Sequence, residues 1–294
     1  MSLLPLIKLL RPHQWTKNLF VFLPIFFNGQ LFNLDMLLSC IIAFIAFSFA
    51  ASSIYCFNDI CDVAADKLHV EKYERPIASG KISVKIAYVF MAVCLIISIL
   101  ILFLFAEKAK YALILLLLFY YIMNIAYCLK LKQYAIIDVI IISANFVLRV
   151  LFGGIAAGVW ISEWIIIMTF LLALFLAFAK RRDDVILYQK TGTSPRKNTN
   201  RYNMEFMNQI LGIIAAIIIV SYIMYSLSPD VAERFNSNYV YLTALFVLIG
   251  IIRYLQITIV DTKSGNPTKT LLRDKFIQFC IAGWVISFLG IIYL

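Results

Sequence analysis

Four polar side chains follow directly on a long apolar stretch of this sequence. The stretch Met36–Phe57 is almost wholly hydrophobic, and an amide and three acids come just after it. These side chains are Asn58, Asp59, Asp62 and Asp66. At 100° per residue all four fall within an arc of about 100° over two helical turns. We therefore expect one polar stripe at the mouth of a hydrophobic segment.

The chemistry of this stripe favours a divalent metal. Carboxylates grouped on one stripe repel one another unless a cation lies among them. Mg²⁺ is usually bound by one or two carboxylates together with substrate phosphates. We therefore predict that Asp59, Asp62 and Asp66 hold Mg²⁺, with Asp59 and Asp62 catalytic and Asn58 contacting substrate. The alternative is a solvated helix end with scattered acids.

Basic and polar side chains recur at the ends of other apolar segments. In the order of the chain, the predicted substrate-binding set is Gln14, Lys17, Asn18, Lys72, Arg75, Lys130, Lys132, Asp138, Arg149, Lys180, Arg181, Asp184 and Arg253. Acids for a metal, surrounded by Lys and Arg for phosphate oxygens, predict a polyphosphate site. Taken singly, each cation could equally be a topology anchor.

Two charges lie inside one apolar run. Asp138 and Arg149 are eleven residues apart and therefore share a helix face, three turns from each other. An ionised group deep in hydrocarbon must face a partner or a polar cavity. Arg149 is therefore either a structural residue, held by an ion pair or a backbone carbonyl, or a cavity residue that binds an anionic group.

The composition indicates a membrane protein. The chain has 294 residues, of which 63% are hydrophobic and 14% are charged, and this balance excludes a water-soluble globule. We predict a single all-α, polytopic membrane domain over 1–294, with nine transmembrane helices. The predicted spans are 18–32, 36–57, 84–106, 110–128, 135–157, 162–179, 206–227, 238–257 and 276–293.

The basic residues predict the orientation in the membrane. Of the 26 Lys and Arg residues, 22 fall on one side of the nine predicted spans and three on the other. The positive-inside rule then puts the N-terminus and the polar site in the cytoplasm and the C-terminus outside. The expected location is the inner (plasma) membrane, with no nucleic-acid partner.

Several segments have predicted roles outside the spans. Residues 1–17 resemble an interfacial helix rather than a cleavable signal peptide. Cytoplasmic cap loops are predicted at 58–84, 180–205 and 258–275. The six cysteines and two histidines suggest no disulfide or zinc site. Apolar helix faces leave assembly as a homo-oligomer open.

The motifs resemble those of a known family. Asn58–Asp66 reads NDxxDxxxD and Arg75–Gly80 reads RPIASG, which resemble the first aspartate-rich motif of the UbiA-type membrane prenyltransferase superfamily. "RPHQWTKN" and "KRRDD" are similar to the decaprenyl-phosphate phosphoribosyltransferase subgroup. The resemblance implies nine transmembrane helices around a central cavity open to the cytoplasmic side.

The resemblance also implies a reaction. It is the Mg²⁺-dependent transfer of a 5-phosphoribosyl group from 5-phosphoribosyl 1-diphosphate to a polyprenyl phosphate, with release of diphosphate. The second motif, "KRRDDVILYQ", is more basic than in users of prenyl diphosphates, which fits a donor richer in phosphate. The alternatives are a prenyltransferase with a polyprenyl diphosphate donor and an aromatic acceptor, and a transporter of an anionic solute.

Overall fold

The computed structural model describes residues 3–67, 72–106, 109–192, 198–262, 264–265 and 267–293. Within these ranges there is no β-strand, which confirms the all-α class. Parts of the three predicted cap loops, at 68–71, 193–197, 263 and 266, lie outside the described residues.

The α-helices are α1 (Leu3–Leu10), α2 (Leu23–Phe27), α3 (Leu34–Cys61), α4 (Val63–Lys67), α5 (Val84–Phe105), α6 (Lys110–Leu129), α7 (Ile137–Ala157), α8 (Glu163–Thr191), α9 (Met204–Leu227), α10 (Pro229–Phe235), α11 (Ala244–Ile259), α12 (Pro267–Arg273) and α13 (Lys275–Tyr293).

Side-chain caps explain where several long helices begin. Asn33, Ser83, Ser162 and Asn203 each accept a hydrogen bond from a backbone N–H in the first turn of the helix that follows. The helices that follow these caps are each more than 20 residues long and mostly apolar. In the described part of the chain, eight helices are long and apolar enough to cross a membrane.

The first predicted span, 18–32, differs from a regular transmembrane helix. Pro12–Phe22 forms a 3₁₀ helix that runs into the short helix α2, so the eight long helices begin only with α3. Pro12 and Pro24 supply no backbone N–H, which disfavours one continuous α-helix here. At about 2 Å per residue for 3₁₀ and about 1.5 Å for α geometry, Pro12–Phe27 still extends about 30 Å.

The first compact unit comprises the chain up to Lys132 together with Asn145–Ile161. Helix α3 is its centre and packs against α5, α6, α1 and the 3₁₀ helix Pro12–Phe22. Gly153 of α7 lies against this 3₁₀ helix, where a Cβ atom would stand 1.8 Å from the Val21 carbonyl oxygen. Only glycine permits so close an approach.

The second compact unit comprises Gln133–Ala144 and the chain from Ser162 onward. Within it α8 packs on α9, α9 on α11, and α11 on α13. Its core includes the buried side chains of Phe175, Met207, Leu211 and Ile218. The beginning of α7, up to Ala144, belongs to this unit, and the rest of α7 belongs to the first.

Candidate active site

The acidic stripe lies where α3 ends. Asp62 caps α3 at its C-terminus, and the short helix α4 carries Asp66. The Asp62 N–H donates to the Asn58 carbonyl at 2.9 Å, and the Asp66 N–H donates to the Asp62 carbonyl at 2.8 Å. Helical spacing therefore continues across the break between the two helices. The Asn58 side-chain oxygen lies 3.5 Å from the Cys128 sulfur.

Each acid of the stripe is paired with a basic side chain. Arg11 and Arg75 both donate to Asp59 Oδ1, and Arg75 also donates to Asp66 Oδ2 at 2.6 Å. Lys132 donates to Asp62 Oδ1 at 2.5 Å. The three cations come from three separate segments of the first unit, and they supply the compensation that three neighbouring carboxylates require.

One oxygen of this cluster is suited to a metal. Asp59 is 2% exposed, and its Oδ2 has no hydrogen-bond partner in the described part of the chain. An orphaned, buried carboxylate oxygen is a strong ligand for a hard cation. Among the described residues no three His, Cys, Asp or Glu side chains are close enough to share a metal. A metal at this place would therefore have fewer than three such side chains as ligands, and its assignment to Asp59 and Asp62 stays a prediction.

A second network of the first unit surrounds Arg149. Its Nε donates to Asn18 Oδ1 at 2.8 Å, and its Nη1 donates to the Asn145 carbonyl at 2.6 Å. The guanidinium also lies within 6 Å of the ring centroids of Phe47, Tyr120 and Phe146. Arg149 is 4% exposed and, within the described residues, has no carboxylate in salt-bridge range.

Lys17 borders this network, close to the charges of Arg149 and Arg11. Three basic side chains therefore lie near one another in this part of the first unit. Their positive charge favours an anionic ligand.

The second unit contains a further acid–base cluster. Arg181 Nε donates to Asp138 Oδ2 at 2.6 Å, and Arg181 Nη1 donates to Asp184 Oδ2 at 3.1 Å. Asp138 is fully buried and Arg181 is 1% exposed. Sequence position alone placed Asp138 and Arg149 on one helix face, but the structure gives them different partners.

Three residues that the sequence did not single out take part in these contacts. The Tyr202 hydroxyl donates to Asp138 Oδ1 and accepts from the Ile136 N–H, and burial raises the pKa of Tyr202 to about 12. Arg182 donates to the carbonyl oxygens of Thr258 and Ile259 at the end of α11. Arg11 is the third, and from the sequence it was included only in the count of basic residues that predicts the orientation. Its position in the "RPHQW" motif could have marked it as a site residue.

The remaining predicted residues lie in varied surroundings. Arg253 pairs with Asp274 at 2.7 Å, and its hydrogen bonds lower the pKa of Asp274. The Lys72 carbonyl accepts from the Arg75 N–H, and the Gln14 N–H donates to the Arg11 carbonyl. Lys130 and Lys180 are exposed.

The fold and the two clusters define a class of protein: a polytopic membrane enzyme whose polar residues suit phosphorylated ligands. The UbiA prenyltransferase family model matches residues 19–276, and the chain belongs to this family. It is therefore a membrane-embedded transferase, as predicted.

The chain is also similar to curated proteins of named activity. The chain is 31% identical to the decaprenyl-phosphate phosphoribosyltransferase of Corynebacterium glutamicum over 98% of this chain and 87% of that protein. It is 29% identical to the digeranylgeranylglyceryl phosphate synthase of Sulfolobus acidocaldarius over 77% of this chain and 78% of that one.

A solved structure supports the fold. A UbiA homologue from Archaeoglobus fulgidus, bound to DMAPP and Mg²⁺, has a TM-score of 0.69 at 19% identity. The match covers 98% of this chain and 99% of the homologue.

Proposed function

We propose that this enzyme transfers a 5-phosphoribosyl group from 5-phosphoribosyl 1-diphosphate to a polyprenyl phosphate of decaprenyl type, with release of diphosphate. Full-length similarity to decaprenyl-phosphate phosphoribosyltransferases supports this donor and acceptor. The observation that carries the proposal is the cluster of Asp59, Asp62 and Asp66 with basic partners, since it combines metal ligands with groups for phosphate.

In this proposal Asp59 and Asp62 hold Mg²⁺, with Asp66 supporting them. Bound Mg²⁺ would stabilise the negative charge that develops on the departing diphosphate. Asp59 fits this role through its orphaned Oδ2, and Asp62 through its partial exposure, 29% of its side chain. Asn58 lies beside them as a substrate contact.

The cations bind phosphate oxygens of the donor and acceptor. Arg75 and Lys132 already lie against the acids that would hold the metal, so their N–H groups are close to the diphosphate position. Lys17, Asn18 and Arg149 supply a second group of donors in the first unit. The proposal also keeps the other predicted substrate-binding residues, which are Gln14, Lys72, Lys130, Asp138, Lys180, Arg181, Asp184 and Arg253.

The chemical step needs little acid–base assistance. The bond from the ribose C1 to the diphosphate oxygen breaks, and a bond from C1 to an acceptor phosphate oxygen forms. Charge develops on C1 as in other glycosyl transfers. Because the acceptor phosphate is already an anion, no strong general base is required. The polyprenyl tail would lie along apolar helix faces.

We also propose nine membrane crossings around a cavity that opens to the cytoplasm of an inner-membrane enzyme. The segment Pro12–Phe27 would be the additional crossing, since its length of about 30 Å matches the hydrocarbon thickness. With this crossing, an odd number of crossings keeps 21 of the 26 Lys and Arg residues on one side, while Lys17 and Arg149 lie within crossings.

Substitution of the metal ligands tests the function. Asp59→Asn and Asp62→Asn enzymes, assayed in membranes with labelled 5-phosphoribosyl 1-diphosphate, should lose at least 100-fold in transfer, on the scale of about 10²–10³ for removing one transition-state donor. Asp230→Asn, on α10 of the second unit, is the matched control and should transfer at the wild-type rate. Undiminished transfer by Asp59→Asn would end the metal assignment.

A prenyl-diphosphate donor is the second candidate, because the name of the Sulfolobus relative, digeranylgeranylglyceryl phosphate synthase, gives a prenylated product rather than a phosphoribosylated one. Membranes should be incubated with 5-phosphoribosyl 1-diphosphate plus polyprenyl phosphate, or with polyprenyl diphosphate plus an aromatic acceptor. We expect diphosphate release only in the first mixture. Release only in the second would replace the proposed reaction.

A further inference from the structure

Arg11 and Arg75 share Asp59, and Arg11 differs from Arg75 in having no second carboxylate partner among the described residues. Arg75 bridges Asp59 and Asp66, so it stays held by Asp66 if Asp59 is taken by another cation. Arg11 contacts only Asp59 among the acids of the described chain, and its guanidinium lies 5.5 Å from the centroid of the Tyr55 ring. Of the two cations on Asp59, Arg11 is therefore the one that can leave.

The backbone at Arg11 fixes this arrangement. Arg11 has φ 53° and ψ 57°, in the left-handed region, and Pro12 follows it. The left-handed region is unfavourable for a residue that has a Cβ atom, and a following proline disfavours helical backbone angles further. The turn ends α1, begins the 3₁₀ helix and brings the Arg11 side chain to α3, where it is 17% exposed. Strain of this kind is often retained at ligand sites.

The charges of the cluster are balanced before any ligand binds. Three carboxylates meet three basic side chains, and both guanidinium groups donate to the same oxygen of Asp59. A divalent cation at Asp59 Oδ2 would be repelled by the guanidinium of Arg11 across one carboxylate. If a diphosphate arrives with the metal, Arg11 gains an anion to bind and the repulsion is relieved.

We propose that Arg11 is an exchangeable counter-ion: it neutralises Asp59 in the free enzyme and moves to the diphosphate when metal and diphosphate bind together. The inference rests on the proposed function and deepens it. Metal alone then binds weakly, diphosphate strengthens metal binding, and Arg11 is a source of this coupling. Arg11 thereby binds the substrate diphosphate, and it also lowers the affinity of the free enzyme for the metal.

Metal titrations without turnover test the inference. Mn²⁺ binding to purified enzyme is followed by electron paramagnetic resonance, with and without inorganic diphosphate, and the Mn²⁺–diphosphate complex is titrated separately. For the wild type, we expect diphosphate to raise the Mn²⁺ affinity at least tenfold. Arg11→Gln should bind Mn²⁺ alone at least threefold more tightly, and its enhancement by diphosphate should fall below threefold.

Control variants separate the possible failures. Arg201→Gln removes an exposed cation outside the cluster and should behave as the wild type. Arg11→Met, which keeps an apolar stem beside Tyr55, replaces Arg11→Gln if the latter does not fold. Unchanged or weaker Mn²⁺ binding by a folded Arg11 variant overturns the inference. If Asp59→Asn retains wild-type Mn²⁺ binding, the proposed metal site itself fails, whatever the Arg11 variants do.

Discussion

At the residue scale, the buried carboxylate of Asp138 has a hydrogen-bond partner for each of its two oxygens. Asp138 is fully buried, and it accepts from both Arg181 and Tyr202. Removing one partner of a buried ion pair leaves an uncompensated charge, whereas replacing both with apolar residues is often neutral. The Asp138–Arg181 pair is therefore a place where a structural role can be separated from a role in binding.

Asp138→Ala should destabilise the protein by about 3–5 kcal/mol, because Arg181 would then be buried without its main partner. The double variant Asp138→Leu with Arg181→Leu should recover most of this stability while transfer activity stays lost. Thermal unfolding in detergent and the transfer assay measure the two quantities. Full activity in a stable double variant would show that the pair is structural only.

The candidate site shows how far single residues could be predicted. The sequence indicated that the acids need cations among them, and Arg75 and Lys132 provide this. It could not choose between a topology anchor and a site residue at Arg11, because that choice depends on the turn before Pro12. Tyr202 was missed because its contact with Asp138 joins residues 64 positions apart.

At the element scale, the long helices were predictable and the first segment was not. Caps followed by long apolar-rich stretches define helices such as α5 and α8. The bounds of α5 and α13 lie close to the predicted ones, whereas α8 runs on past its predicted end to Thr191. The 3₁₀ geometry of Pro12–Phe22 depends on packing against α3 and α7, which hydropathy does not report.

Gly153 fixes the distance between α7 and this 3₁₀ helix, so its replacement should disturb Asn18 and Arg149 as well as the local packing. Gly153→Ala should cost about 1–3 kcal/mol, as overpacking of a close contact does, and it should weaken diphosphate binding. Gly212→Ala on α9 is the matched control, because a Cβ there meets nothing within 4 Å. Equal melting temperatures for the two variants would contradict the close contact.

At the scale of the whole molecule, two features matter: the division of the chain into two compact units and the number of its membrane crossings. The chain forms two compact units, and each has its own cluster of acidic and basic residues. Composition predicted a multi-pass membrane protein correctly. The count of nine crossings depends on Pro12–Phe27, which falls outside the eight long helices and needs a direct test.

Cysteine accessibility provides this test, since Cys61 is exposed while the other five cysteines are buried. With nine crossings, Cys61 faces the cytoplasm, and Asn33, between Pro12–Phe27 and α3, faces outward. An impermeant maleimide should therefore label Cys61 in inverted vesicles but not in intact cells. A Cys61→Ser, Asn33→Cys variant should show the reverse, and a Cys61→Ser, Lys8→Cys variant should label only in inverted vesicles. If Lys8→Cys and Asn33→Cys are labelled from the same side, Pro12–Phe27 does not cross, and the chain has an even number of crossings.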